Sequence, residues 1–259
     1  MYPLIDSHCH LDFPVFDEDR ALVIERSMAL NITQFVVPSV TSAAFSRVQA
    51  LKSLFSGVHV AFGLHPCFMV EHQEDDLELL RSYCQRFSPC AIGEIGLDFH
   101  LPQADKERQI ALFQQQLDLA NEFNLPVILH VRKAHAIVLD MLKNIRLTRG
   151  GIVHAYSGSM EQAKEYMKLG FKLGFGGVIT YEGSKRVRKI ATELPLESIV
   201  LETDAPDMPL SGQQGQRNSP ERVVDVLHAL AQLRAEPVEV LARATTQNIE
   251  QLLGLPNYS

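Results

Sequence analysis

Short apolar runs recur along the chain, at positions 4–8, 33–40, 58–65, 90–97, 126–131, 151–154, 171–179 and 199–202. They are rich in Val, Ile and Phe and too short for ordinary helices, so each predicts a strand. Between them the apolar period lengthens. Positions 105–123 carry Ile110, Phe113, Leu117 and Ala120, a spacing of three to four that predicts an amphipathic helix. Positions 21–30 and 43–54 read the same way. Positions 161–169 end at Gly170, a C-cap residue. Positions 220–233 are opened by Ser219 as N-cap and Pro220 in the first turn.

Eight strands alternating with helices predict a parallel sheet made of βα units. Strands this uniformly apolar fit a sheet buried on both faces. Eight units in 259 residues predict a TIM-type (β/α)8 barrel, with 1–259 as one domain. A doubly wound sheet is the competing architecture, and it calls for a Gly-rich loop after the first strand. Here the first strand runs into Asp6, Ser7, His8, Cys9 and His10, without glycine. The irregular stretch 206–219 reads as a loop over one end of the barrel.

Composition changes this picture little. The chain is 46% hydrophobic and 21% charged, which excludes disorder, collagen-like repeats and coiled coil. Its 24 basic and 31 acidic residues leave −7, which disfavours a protein that coats nucleic acid. Cys9, Cys67, Cys84 and Cys90 form no C-x-x-C pair and read as free thiols of a reducing cytosol. The N-terminus lacks the pattern of a signal peptide, and no run is long enough to span a membrane. A cytoplasmic protein is expected, acting as a monomer without an obligate protein partner.

The informative pattern is where the reactive side chains fall. His8 and His10 close strand one, His65 strand three, and Glu94 lies late in strand four. His130 and His154 end strands five and six, and Asp204 follows strand eight. All belong to the C-terminal rim, where barrel enzymes keep their chemistry. In extended chain His8 and His10 share a face and Cys9 points to the helical layer. Any one of these residues alone reads as a hydrogen-bonded core histidine or a rim salt bridge. Together, four histidines and two carboxylates exceed the needs of one tetrahedral site. They suit two divalent ions bridged by a carboxylate, a layout for hydrolysis and for in-line displacement at phosphorus. Zn, Mn, Mg and Co all remain open. Two ions, two carboxylates and a bound hydroxide net about +1, which favours an anionic substrate. Arg132 shares a face with His130 and can grip a phosphate, whereas Arg217 in the irregular loop is a weaker candidate. The basic run 185–189 is a candidate backbone groove or a solvated helix face. Tyr181 and Phe99 are candidate stacking residues or packing.

In sequence order, these segments resemble those of TatD-family metal-dependent hydrolases: DSHCHLD at 6–12, GLHP at 63–66, GEIGLD at 93–98, HVR at 130–132, HAYSG at 154–158, ETDAP at 202–206, then Asn218 and Pro220. The resemblance covers essentially the whole chain. It implies a barrel in which His8, His10, Glu94 and Asp204 hold one ion, and Glu94, His130 and His154 the other. It gives Asp204 the role of orienting or deprotonating the bridging water, and Glu94 and Asp204 are thus the catalytic carboxylates. It makes His65 and Arg132 substrate-side residues. Members of the family act as deoxyribonucleases, with 3′ to 5′ exonuclease activity among them, so DNA is the implied substrate. The chain departs from the family at Cys67, where many relatives have a second histidine, and at Ala155 and Tyr156, where Cys and Phe are common. Asn248, Ile249 and Glu250 stand where relatives often have Asn and Ala.

Related amidohydrolase-like barrels also begin with H-x-H but often bridge their metals with a modified lysine on strand four, where this chain has Glu94. That favours phosphodiester cleavage. Hydrolysis of a small phosphoester, ester or amide metabolite is the second expectation, and a non-catalytic metal-binding scaffold the third.

Overall fold

The structure, a computed structural model, describes residues 2–100 and 105–257. The elements run β1 (Leu4–Asp6), α1 (Arg20–Ala29), β2 (Ile32–Pro38), α2 (Phe45–Leu54), β3 (Val58–Phe62), α3 (Asp76–Phe87), β4 (Ala91–Asp98), α4 (Lys106–Glu122), β5 (Val127–Arg132), α5 (His135–Ile145), β6 (Gly151–Val153), α6 (Met160–Lys168), β7 (Phe171–Phe175), α7 (Lys185–Glu193), β8 (Ile199–Leu201), α8 (Val223–Arg234) and α9 (Val238–Leu253). The strands pair in parallel in the order β1 to β8. The Ser7 N–H donates to the Leu201 carbonyl at 3.0 Å, joining the two ends of the sheet. This is a TIM-type barrel, and the doubly wound alternative is excluded by the strand order.

Two hydrophobic layers hold it. Outside, the helices lay apolar stripes on the strands; α4 buries Phe113, Leu117 and Ala120 completely. Each large side chain so buried contributes about 1.5–3 kcal/mol. Inside, Ile5, Val36, Ala61, Ala91, Ile128, Ile152 and Val200 form a second cluster, with Ile249 and Leu253 of α9 packed against it. With a period of two, the residues two further along three of these strands point the same way. Those residues are His130, His154 and Glu202. The inner layer is therefore the floor of the site.

Some predicted boundaries shift. The run 58–65 is strand only to Phe62, and 171–179 only to Phe175. The apolar pattern continues because Gly177–Thr180 is a 3-10 turn that buries Ile179. Ser219 does not cap through its hydroxyl; that group donates to Glu221 at 2.5 Å, and Pro220–Arg222 is a 3-10 turn before α8. Gly170 follows α6 at φ +81°, the left-handed conformation expected of it. The basic run 185–189 forms the start of α7, whose buried face is Val187, Ile190 and Ala191. No helix among the described residues is long and apolar enough to cross a membrane.

Candidate metal centre

Beyond β1 the chain bends at Ser7 and His8. The Cys9 N–H donates to Val36 and the His10 N–H to Ala205, while Asp204 donates back to His8 at 2.9 Å. His8 and His10 point at Glu94 while Cys9 is buried in the outer hydrophobic cluster, the placement its pattern predicts. Asp204 sits at φ +57°, a left-handed conformation that Asp tolerates better than most residues.

Glu94 is the centre of the arrangement. It is 2% exposed, and its two oxygens face two different groups. Oε2 lies 3.2 Å from His8 Nε2 and 3.5 Å from His10 Nε2. Oε1 lies 2.8 Å from His154 Nε2, 3.2 Å from His130 Nδ1 and 3.1 Å from His65 Nε2. Asp204 Oδ1 completes the first group, 3.5 Å from His8 Nε2 and 3.6 Å from His10 Nε2. The structure thus gathers all six residues proposed as ligands from sequence and adds His65 to the Glu94 Oε1 side. Arg132 lies on the rim of an adjoining groove of about 370 Å³, lined also by His130, His154, Ser157 and Asp204. Its guanidinium makes no hydrogen bond or ion pair among the described residues.

These donors fit divalent cations. The Nε2 atoms of His8 and His10 approach to 3.3 Å, and the His8 and His154 rings stack at 4.1 Å. Ligand atoms of His8, His10 and Asp204, and of His8, Glu94 and His154, lie within 4.8 Å of one another. So many unlike-charged donors pointing at each other in a buried space is the chemistry of an oxygen–nitrogen metal site. Burial pushes His8 down to about 3, keeping it neutral, the state a metal ligand needs, and His65 down to about 4. Burial is outweighed at the other three rings: Glu94 raises His10 to about 9 and lifts His154, and Asp98 lifts His130. Burial opposes charge on Glu94 too, but His154 and the bond from His10 outweigh it and hold the carboxyl well below its usual range. Burial pushes Asp204 up, against the pull of His154 and His10.

Several supporting residues escaped the sequence reading. Asp98 Oδ2 lies 3.0 Å from His130 Nε2, leaving Nδ1 to face Glu94. Burial resists its charge, but bonds from His130 and the His100 N–H hold the carboxyl low. Asp6, fully buried and pushed up to about 7 by burial, accepts from Thr203 Oγ1 at 2.5 Å and from the His8 N–H at 3.2 Å. Glu202, pushed up to about 8 by burial, accepts from Ala155 N at 2.5 Å and lies 3.8 Å from His154 Nδ1. On α4, Gln109 clamps the backbone of Asp98 (2.9 and 3.2 Å) and Gln116 that of Leu64 (2.8 and 3.1 Å). Glutamines on the buried side of an otherwise apolar helix were the available signal.

Other candidates lie elsewhere. Arg217 is held by Asp19 and sits over the Phe16 ring. Tyr181 donates to the Pro209 carbonyl at 2.7 Å, and Phe99 packs under Lys106. Arg186 of α7 donates to the Ser157 carbonyl at 2.8 Å. Cys67 is an exposed free thiol with Sγ 3.4 Å from Asp98.

The family described as TatD related DNase matches residues 5–254. The chain belongs to the TatD family. It is 41% identical over 254 residues to the Escherichia coli K12 protein named uncharacterized metal-dependent hydrolase YjjV, covering 97% of this chain and 98% of that one. The crystal structure of YjjV from Escherichia coli K12 matches with a TM-score of 0.95 over 98% of both chains. The human protein named deoxyribonuclease TATDN3 is 31% identical over 264 residues, covering 96% of this TatD-family chain and 94% of that one. The chain is a metal-dependent hydrolase, as the sequence resemblance implied.

Proposed function

We propose that this TatD-family hydrolase cleaves phosphodiester bonds in DNA, using two divalent ions bridged by Glu94. The observation that carries the reading is the division of Glu94, with Oε2 toward His8, His10 and Asp204 and Oε1 toward His130 and His154. His8, His10, Glu94 and Asp204 would hold one ion, and Glu94, His130 and His154 the other. Ions bound there would acidify a water and neutralise charge developing on the phosphate.

The chain's own residues supply the rest. Asp204 accepts the proton of the attacking water. Arg132, at the groove, holds non-bridging phosphate oxygens through its planar fork. His65, beside Glu94 Oε1, contacts the substrate oxygen on that side. The human relative is named a deoxyribonuclease, which supports DNA as the substrate.

A small-metabolite ester is the second reading, favoured by a groove of about 370 Å³, within the size range of small-ligand pockets. The test is a panel assay of metal-depleted protein resupplied with Mn, Mg or Zn. Single-stranded DNA is compared with small phosphoesters and lactones. Turnover of DNA that weakens as salt rises supports the proposal; turnover confined to small esters contradicts it.

A further inference from the structure

A second groove, of about 590 Å³, opens beside the Glu94 cluster, between the loops after β1 and β8. Phe13, Pro14, Val15, Pro206 and Pro209 form its walls. It adjoins the cluster on two sides. The Phe13 ring stacks on His10, with centroids 4.7 Å apart and planes at 21°. Asp207, on its rim, donates its N–H to the Asp204 carbonyl at 2.9 Å.

Its charge is opposite in character to that of the Arg132 groove. The one guanidinium on this wall, Arg217, is neutralised by both oxygens of Asp19, at 2.8 and 2.5 Å. The Asp207 carboxylate makes no hydrogen bond or ion pair among the described residues. An uncompensated negative charge repels phosphate, which Arg132 attracts in the groove lined by His130 and Asp204. What remains here is a flat apolar slot, with Val15 51% exposed, edged by the Asp207 carboxylate and the Gln216 amide. Aromatic and proline faces with polar groups at the edge suit an uncharged planar ring with hydrogen-bonding edges.

We propose that the groove between Phe13 and Pro209 is a nucleobase subsite. It holds the base next to the scissile phosphodiester while Arg132 takes phosphate in its own groove. The inference rests on the phosphodiesterase reading and names the part of the substrate that reading leaves unplaced.

The test uses full-length protein supplied with Mg²⁺ and two kinds of substrate. One is a deoxydinucleotide; the others are the same molecule with an abasic residue on one or the other side of the scissile bond. Stacking of one base predicts a kcat/KM about tenfold higher for the complete dinucleotide than for one of the abasic pair. Phe13→Leu keeps an apolar contact on His10 and brings that ratio to within about twofold of one. Val15→Asp, away from His10, lowers the ratio as well. A second readout is NMR of dAMP bound to the protein: its base protons move upfield with wild type and not with Phe13→Leu. Hydrolysis of all substrates at equal rates, or a ratio that both variants leave at the wild-type value, overturns the subsite and spares the phosphodiesterase reading. Upfield shifts without hydrolysis of any dinucleotide keep the subsite and overturn that reading.

Discussion

Asp98 Oδ2 lies 3.0 Å from His130 Nε2, and that contact turns His130 Nδ1 to within 3.2 Å of Glu94. A ring held this way presents one defined nitrogen to a metal. Asp98→Ala frees the ring. The expected result is a loss of about 10–100-fold in metal affinity, measured by competition with a chelator. An unchanged affinity would show that His130 is oriented by other contacts.

Among the described residues the Arg132 guanidinium makes no hydrogen bond or ion pair, so its loss acts on substrate rather than on metal. Arg132→Ala is expected to lower kcat/KM for a phosphodiester by about 10–100-fold, with metal content unchanged. Arg132→Lys keeps the charge without the planar fork and recovers only part of the loss. The check is steady-state kinetics beside elemental analysis of each variant.

Gly174 marks a close approach. A Cβ there would come within 2.2 Å of Glu202 Oε2, whose carboxyl lies under His154. Gly174→Ala must displace Glu202, costing about 1–3 kcal/mol and lowering the Tm by several degrees. Thermal unfolding of the variant against wild type measures it. An unchanged Tm would contradict the close approach.

His59 gives the fold an acid limit away from the site. It bonds Gln34 at 2.7 Å, and burial, with Lys52 adding, pushes its pKa down from 6.5 to about 4. The folded state therefore binds its proton less readily than the unfolded chain. Stability from this group is full above about pH 6.5 and is lost as pH falls toward about 4. Urea unfolding of metal-free wild type should weaken over that window more steeply than His59→Gln. Equal slopes would contradict the assignment.

Much of the fold was legible because barrel strands buried on both faces announce themselves as apolar runs. The reading overshot at β3 and β7, where buried loop residues such as Leu64 and Ile179 prolong the run without strand geometry. It passed over α9, whose buried face mixes Leu241, Ile249 and Leu253 with Ala242, Thr245, Thr246, Asn248 and Glu250. In the site, the residues at strand ends were readable as a set, because the barrel brings every strand end to one rim. Partnerships were not. Asp98 and His130 are 32 positions apart, and only the register of β4 on β5 brings them together. Gln109 and Gln116 look like ordinary helix polar residues until α4 is laid against the barrel.

The central claim is that Glu94 bridges two ions. Elemental analysis of wild type and Glu94→Ala, beside their rates, tests it most directly. The account predicts two divalent ions per chain in wild type. In Glu94→Ala it predicts loss of the bridged pair and a fall in turnover of about a thousandfold or more. Two ions per chain retained in Glu94→Ala would contradict it.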